Sequence, residues 1–90
     1  MNIYSITYDL KRDRDYGKLH TAIRAICKDN WAKPTESNWL IVTDKSATQI
    51  NGYLSNHIDN DDVLMVIKVD VNDCNATHIP KDVATWLGLS

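Results

Sequence analysis

One carboxylate and three basic side chains lie close together near the start of the chain. Asp9 falls at the end of an apolar segment, and behind it come Lys11, Arg12 and Arg14. A carboxylate at a strand end suits a general base or a ligand for Mg²⁺, which proteins bind through one or two carboxylates together with substrate phosphate. The basic residues could hold phosphates through charge-assisted hydrogen bonds. The same residues also fit an ordinary strand end followed by a solvated turn whose charges pair with one another.

Other residue types that carry chemistry lack the spacing that their chemistry requires. The three histidines show no His-x-x-x-His or Cys-x-x-Cys partner spacing, so no zinc site is predicted, although His20 could lie near Asp9. The acidic run 59–62 lacks the glycine and distal glutamate of a calcium-binding loop and is typical of a turn. No Gly-x-Ser-x-Gly nucleophile motif is present. Trp31 and Trp39 could stack on bases, but in a chain without phenylalanine we expect them to be the main core aromatics.

The element that must position Asp9 is a strand, which the sequence predicts over residues 2–10. Alternate side chains of a strand point to opposite faces of a sheet. One set is apolar or aromatic and should pack on helices: Tyr4, Ile6, Tyr8 and Leu10. The other set is half polar: Ile3, Ser5, Thr7 and Asp9. Asp9 should therefore point out of the open side of a sheet.

Apolar spacing and turn residues predict the elements that follow. In chain order they are a helix over about 15–28, an edge strand near 31–34, a strand over 38–44, a helix over about 46–58 and a strand over 63–69. Ser46 and Gln49 have the spacing of a capping box. Pro34 lacks a backbone N–H and favours an edge position. The segment 63–69 is apolar at almost every position, which predicts a central strand.

The tail, residues 70–90, has a different character. A short edge strand is predicted over 76–79. A helix should then open at Pro80 and end at Gly88. Trp86 should anchor this helix to the body of the protein or to a second subunit.

The order β-α-β-β-α-β plus a tail helix predicts one α+β domain over residues 1–90, with its core at about 2–69. The arrangement is ferredoxin-like, with two helices on one face of a four-stranded antiparallel sheet. The other face needs cover, which the tail or a twofold-related copy could supply. We therefore expect a homodimer.

Charge and cysteine content restrict the class of protein. The net charge of −2 gives no general attraction to nucleic acid or to an anionic membrane. The charge is uneven, since residues 1–33 hold seven Lys or Arg against four Asp, whereas residues 34–90 hold three against eight acids. The two cysteines show no paired spacing, which is typical of reduced thiols in the cytoplasm. We expect no secretory signal and no membrane segment.

Several short segments together resemble small bacterial and phage proteins described as SinR-like. They are Tyr8-Asp9-Leu10, the helix start near Tyr16, Glu36-Ser37-Asn38-Trp39, Ser46-Ala47-Thr48-Gln49-Ile50 and Asp61-Asp62-Val63-Leu64. The fold of that group resembles VapD toxins and the small CRISPR-associated ferredoxin-like endoribonuclease. The resemblance covers about residues 2–69 and implies a ferredoxin-like homodimer. It also implies that Asp9 matches the strand-end aspartate tied to Mg²⁺ and RNA cleavage, with a basic loop beside it. The nuclease relatives are more basic than this chain.

Three functions are consistent with these features. The first is a metal-dependent endoribonuclease in which Asp9 binds Mg²⁺ and Lys11, Arg12 and Arg14 position phosphates. The second is a non-catalytic module of the antitoxin or phage counter-defence type that binds a protein or a nucleotide. The third is a regulatory dimer that binds a small molecule on the open sheet face. The expected partners are a second copy, RNA or DNA, or a defence-system protein, and no membrane.

Overall fold

A four-stranded antiparallel sheet forms the centre of this α+β protein. The computed structural model describes residues 1–11 and 16–89. The strands are β1 (Asn2–Asp9), β2 (Trp31–Thr35), β3 (Asn38–Thr43) and β4 (Val63–Val69). The helices are α1 (Tyr16–Cys27), α2 (Ala47–Leu54) and α3 (Lys81–Leu87), and a 3₁₀ turn spans Ser55–His57. The predicted order β-α-β-β-α-β followed by a tail helix is observed.

The strands lie side by side in the order β2-β3-β1-β4. Strand β1 pairs with both β3 and β4, so Asp9 ends an inner strand, and its partner on β4 is Val63. The prediction that residues 63–69 form a central strand is wrong, because β4 lies at the edge and pairs with β1 alone among the described strands. A run of apolar residues on both faces does not distinguish the two positions.

The core lies between the inward face of the sheet and the two longer helices. Tyr4, Ile6 and Tyr8 of β1 are buried there, as the alternation predicts. Helix α1 contributes its apolar stripe, which is Leu19, Ala22, Ile23, Ile26 and Cys27. Helix α2 contributes Ile50 and Leu54. Burying these side chains is the main favourable term in folding, at about 25 cal/mol per Å² of apolar surface.

Helix α2 begins with the predicted capping box. The Ser46 hydroxyl accepts a hydrogen bond from the Gln49 backbone N–H at 3.2 Å, and the Gln49 side chain accepts one from the Ser46 N–H at 2.9 Å. Two backbone donors that the helix cannot pair are thereby satisfied. The helix is shorter than predicted, since the chain tightens into the 3₁₀ turn after Leu54.

The tail differs from its prediction in one element. Residues 76–79 do not form a strand, because His78 adopts a left-handed backbone conformation (φ 59°) that breaks an extended segment. Helix α3 is observed, with Pro80 just before its first residue and Gly88 capping its end at φ 78°. Trp86 anchors the helix to the body, as predicted, because its Nε1 donates to Oδ1 of Asn30 at 3.0 Å.

Helix α3 covers part of the sheet face that α1 and α2 leave open. Ala32 of β2 pairs with Leu40 on that face, and α3 packs against β2. Ala32 and Val83 are both buried. The far side of the face stays uncovered along β4, where Val63, Met65 and Ile67 are 47 %, 49 % and 49 % exposed. These three residues are called the apolar band below.

No helix among residues 1–11 and 16–89 is long and apolar enough to cross a membrane.

Candidate functional site

Asp9 lies on the open face, at the end of β1, where the sequence places it. Its side chain is 65 % exposed, and its Oδ2 pairs with Nζ of Lys11 at 2.7 Å. The hydrogen bond to Asp9 raises the pKa of Lys11, and the nearby charges of Asp61 and Asp62 add to that effect. Lys11, which the sequence assigns to phosphate binding, therefore contacts the candidate catalytic carboxylate itself.

The backbone beside Asp9 is held by Asp62. The backbone N–H of Lys11 donates to Oδ1 of Asp62 at 2.9 Å, and the N–H of Asp59 donates to Oδ2 at 2.8 Å. Leu10, which lies between Asp9 and Lys11 in the chain, is buried. The acidic run 59–62 is the turn that the sequence predicts, and it fixes the exit of β1. Asp9 is consequently presented from a fixed position on the sheet.

The remaining predicted residues of this site, Arg12 and Arg14, lie outside the described residues. Within residues 1–11 and 16–89, no three His, Cys, Asp or Glu side chains form a group that could hold a metal ion. The exposed carboxylate of Asp9 suits Mg²⁺, which keeps several waters and needs one or two protein carboxylates. A magnesium site here would be completed by water, substrate phosphate or a second copy of the chain.

A different cluster lies on the helix side of the same sheet end, and we call it the Tyr8 cluster (Tyr8, His20 and Trp39). The Tyr8 hydroxyl donates to the Glu36 carbonyl at 2.9 Å and accepts from Nε1 of Trp39 at 3.0 Å. Nε2 of His20 lies 2.8 Å from the same hydroxyl. The His20 and Trp39 rings have centroids 5.1 Å apart. Strand β1, helix α1 and strand β3 each contribute one residue.

The hydrogen bonds of this cluster determine the tautomer of His20. A tyrosine hydroxyl has one proton, an indole N–H can only donate, and a carbonyl can only accept. The Tyr8 proton is therefore directed to the Glu36 carbonyl. Nε2 of His20 must then carry a proton and donate to Tyr8. The neutral ring keeps its lone pair on Nδ1.

Burial keeps both titratable groups of the cluster uncharged near neutral pH. Burial lowers the pKa of His20, and the positive charges of Lys33 and Arg24 lower it further. Burial raises the pKa of the Tyr8 hydroxyl, while the Trp39 hydrogen bond partly opposes that shift. The cluster is thus uncharged and fixed in position, and the N–H groups of His20 and Trp39 both donate to the Tyr8 hydroxyl oxygen.

This cluster was not predicted from the sequence, although one signal pointed to it. His20 lies four residues after Tyr16 and three before Ile23, so it shares the inner side of the helix with apolar residues. A polar ring at such a position needs a hydrogen-bond partner. Tyr8 is the last inward-facing tyrosine of β1 and supplies it. His20 therefore faces away from Asp9.

We expect folding stability to fall as the pH drops below about 6.5 because of His20. Its folded-state pKa lies below the ordinary value of 6.5, so the unfolded chain takes up the proton first. The stabilising contribution is complete above pH 6.5 and is lost as the pH falls through the folded pKa. Urea midpoints measured across this range check the prediction.

The matched variants for this measurement are His20→Gln and His57→Gln. Glutamine at position 20 keeps an N–H donor for Tyr8 but cannot titrate, so the pH dependence should flatten. His57 is an exposed histidine outside the Tyr8 cluster, so the same His-to-Gln substitution at that position is the control. An undiminished pH dependence in His20→Gln would contradict the assignment.

Comparison with known proteins finds no match to this chain among protein-family models, curated proteins or solved structures.

Proposed function

We propose that the sheet belongs to the ferredoxin-like class. The strand order β2-β3-β1-β4 and the two helices on one face support this assignment. We also propose a relation to SinR-like proteins and, in architecture, to VapD toxins and the small CRISPR-associated endoribonuclease. The short segments that contain Asp9, Trp39 and the capping box support that relation.

We propose that two copies of the chain pack through their open faces and that the homodimer cleaves RNA in the presence of Mg²⁺. The position of Asp9 carries this proposal. Asp9 is exposed at the end of an inner strand, and Val63 of the apolar band is its neighbour on β4. A twofold axis that passes near Val63 would bury the band between two copies and bring both Asp9 side chains together.

The residues at this end of the sheet have distinct roles in the proposed reaction. Bound Mg²⁺ would neutralise phosphate charge and lower the pKa of a bound water. Asp9 would hold the ion through its exposed carboxylate. Lys11 pairs with that carboxylate in the free protein and donates to a substrate phosphate once the ion pair opens. Arg12 and Arg14 are assigned to further phosphates from the sequence alone.

We expect Asp9→Asn to slow Mg²⁺-dependent cleavage of a labelled single-stranded RNA at least about tenfold, or roughly 1.4 kcal/mol in the barrier. Asparagine keeps one oxygen ligand but removes the charge that binds the ion. The rate constant is measured at saturating Mg²⁺ and again with EDTA. Asp44→Asn is the matched control, since Asp44 is an exposed carboxylate that follows β3, at the end of the sheet away from Asp9. Cleavage that survives Asp9→Asn undiminished excludes Asp9 as the catalytic group.

A non-catalytic interaction module is the second candidate, and the Lys11–Asp9 ion pair favours it. The positive charge of Lys11, 2.7 Å from Oδ2 of Asp9, weakens the attraction of this carboxylate for a metal ion. The apolar band alone would then provide the function, by binding a second copy together with a defence-system protein or a nucleotide. RNA that stays intact with wild-type protein and Mg²⁺ supports this candidate over the nuclease.

We also propose that the protein works in the cytoplasm. Both cysteines are free thiols, with Cys27 buried and Cys74 half-buried. Burial raises the pKa of the Cys27 thiol, which favours its protonated form. Thiols persist in a reducing compartment.

A further inference from the structure

A half-open pocket of about 370 Å³ lies between the start of α1 and the turn that joins β2 to β3. Its lining includes Tyr16, His20, Lys33, Glu36 and Ser37. Binding sites for small molecules usually enclose roughly 300–1,000 Å³. The pocket is near the lower end of that range, which suits a ligand built on one ring system.

Two rings form one wall of this pocket. The Tyr16 and His20 ring centroids are 6.1 Å apart, and Tyr16 is 40 % exposed. His20 is oriented by its hydrogen bond to Tyr8, and Tyr8 is in turn held by Trp39. The His20 side of the wall is therefore in place before a ligand arrives, which lowers the entropic cost of binding.

The other side of the pocket is polar and carries both signs of charge. Lys33 Nζ lies 5.8 Å from the centroid of the Trp39 ring, a cation–π contact that places its charge beside the cluster. Glu36 and Ser37 form the two-residue turn. Lysine binds phosphate as a point charge, whereas a carboxylate accepts from the exocyclic amino groups of bases.

We propose that this pocket binds a nucleoside 5′-phosphate unit. The base lies against Tyr16 and His20, and the phosphate pairs with Lys33. The unit is either a free mononucleotide or an unpaired nucleotide of a single-stranded RNA, and the chemistry of recognition is the same. This inference goes beyond the proposed cleavage, because the Tyr8 cluster lies on the helix side of the sheet and Asp9 on the open side.

The test is isothermal titration of the intact protein with each of the four ribonucleoside 5′-monophosphates. At least one should bind with a dissociation constant below about 1 mM, and the matching nucleoside and inorganic phosphate should each bind at least about tenfold more weakly. Amide shift mapping should place the contacts at residues 16–20 and 33–37. A short single-stranded oligoribonucleotide that binds more tightly than the monophosphate identifies RNA as the source of the unit.

Substitutions within the pocket separate this site from a general charge effect. Lys33→Gln and Tyr16→Leu should each weaken binding roughly tenfold, from the lost charge and the lost stacking. Lys33→Arg should bind within about threefold of wild type because it keeps the charge. Lys45→Gln removes a charge beyond the opposite end of β3 and should leave affinity unchanged. Circular dichroism verifies that each variant is folded.

Two results would overturn the inference. One is the absence of binding by all four monophosphates at millimolar concentration. The other is binding that Lys33→Gln and Tyr16→Leu leave unchanged while both variants stay folded. Asp9→Asn should retain full mononucleotide affinity, so failed RNA cleavage and a failed pocket are distinguished within the same set of proteins.

Discussion

Trp39→Ala should lower the free energy of unfolding by about 3–5 kcal/mol, the usual cost of truncating a buried tryptophan. Trp39 is 2 % exposed, and its ring lies 4.4 Å from the Trp31 ring and 5.1 Å from the His20 ring, centroid to centroid. The substitution also removes the N–H that donates to Tyr8. Small domains are stable by only about 5–15 kcal/mol, so the variant should be close to unfolding at 37 °C. Urea denaturation followed by circular dichroism measures the loss.

Two further variants divide this effect into its parts. Trp39→Phe keeps one aromatic ring and removes the donor, so it should cost about 1–3 kcal/mol from the lost hydrogen bond together with a smaller cavity. Tyr53→Ala removes an aromatic ring that is 43 % exposed and should cost less than about 1 kcal/mol. If Trp39→Ala costs no more than Tyr53→Ala, the Tyr8 cluster does not stabilise the fold.

The double variant Met65→Asp/Ile67→Asp should convert the proposed homodimer to a monomer. Each fully buried apolar side chain contributes roughly 1.5–3 kcal/mol, and a twofold interface contains every substitution twice. Four added carboxylates also repel one another across the axis. The dissociation constant of the dimer should therefore rise at least about a thousandfold. Size-exclusion chromatography with light scattering, over a range of concentrations, measures the change.

Lys68→Asp is the control for the face through which the copies pack. Lys68 lies on β4 between two residues whose side chains point to the open face. Because side chains alternate along a strand, Lys68 points to the helix side of the sheet. Packing through the open face should survive this substitution. A solved dimer should also bring the two Asp9 carboxylates within about 6 Å of each other, close enough to share one ion, given Mg–O bonds of about 2.1 Å. A wild-type chain that is monomeric at high micromolar concentration would rule out the proposed dimer.

Local patterns in the sequence were enough for β1. The alternation of side chains along the strand correctly predicted that Tyr4, Ile6 and Tyr8 lie in the core and that Asp9 lies on the open face. The polar residues on that face are also accounted for, because Nδ2 of Asn38 donates to Ser5 and Thr7 at 2.8 Å and 3.0 Å. The capping box was equally local, since both of its partners lie within one helical turn.

Features that depend on distant parts of the chain were not predictable in this way. The edge position of β4 depends on which strands pair with it. The apolar pattern within a strand carries no information about its neighbours in the sheet. The Tyr8 cluster joins residues 12 and 31 positions apart in the sequence. The lost strand at 76–79 depends on one backbone angle, that of His78. Lys11 and Asp9 are close in the sequence, but their ion pair depends on the backbone conformation that Asp62 fixes.

The two edges of the sheet differ in how readily another chain can add to them, and this difference limits how the protein can assemble. Strand β2 contains Pro34, deviates from regular pairing between Ala32 and Thr35, and is packed against α3. These features discourage another chain from adding at that edge. An open-ended filament requires two different, complementary surfaces on each copy. Each copy binds the next one through one surface and the previous one through the other. Within residues 1–11 and 16–89, the most exposed apolar side chains of the sheet strands lie along β4, so a second copy can pack there, whereas the β2 edge is a poor site for a further copy.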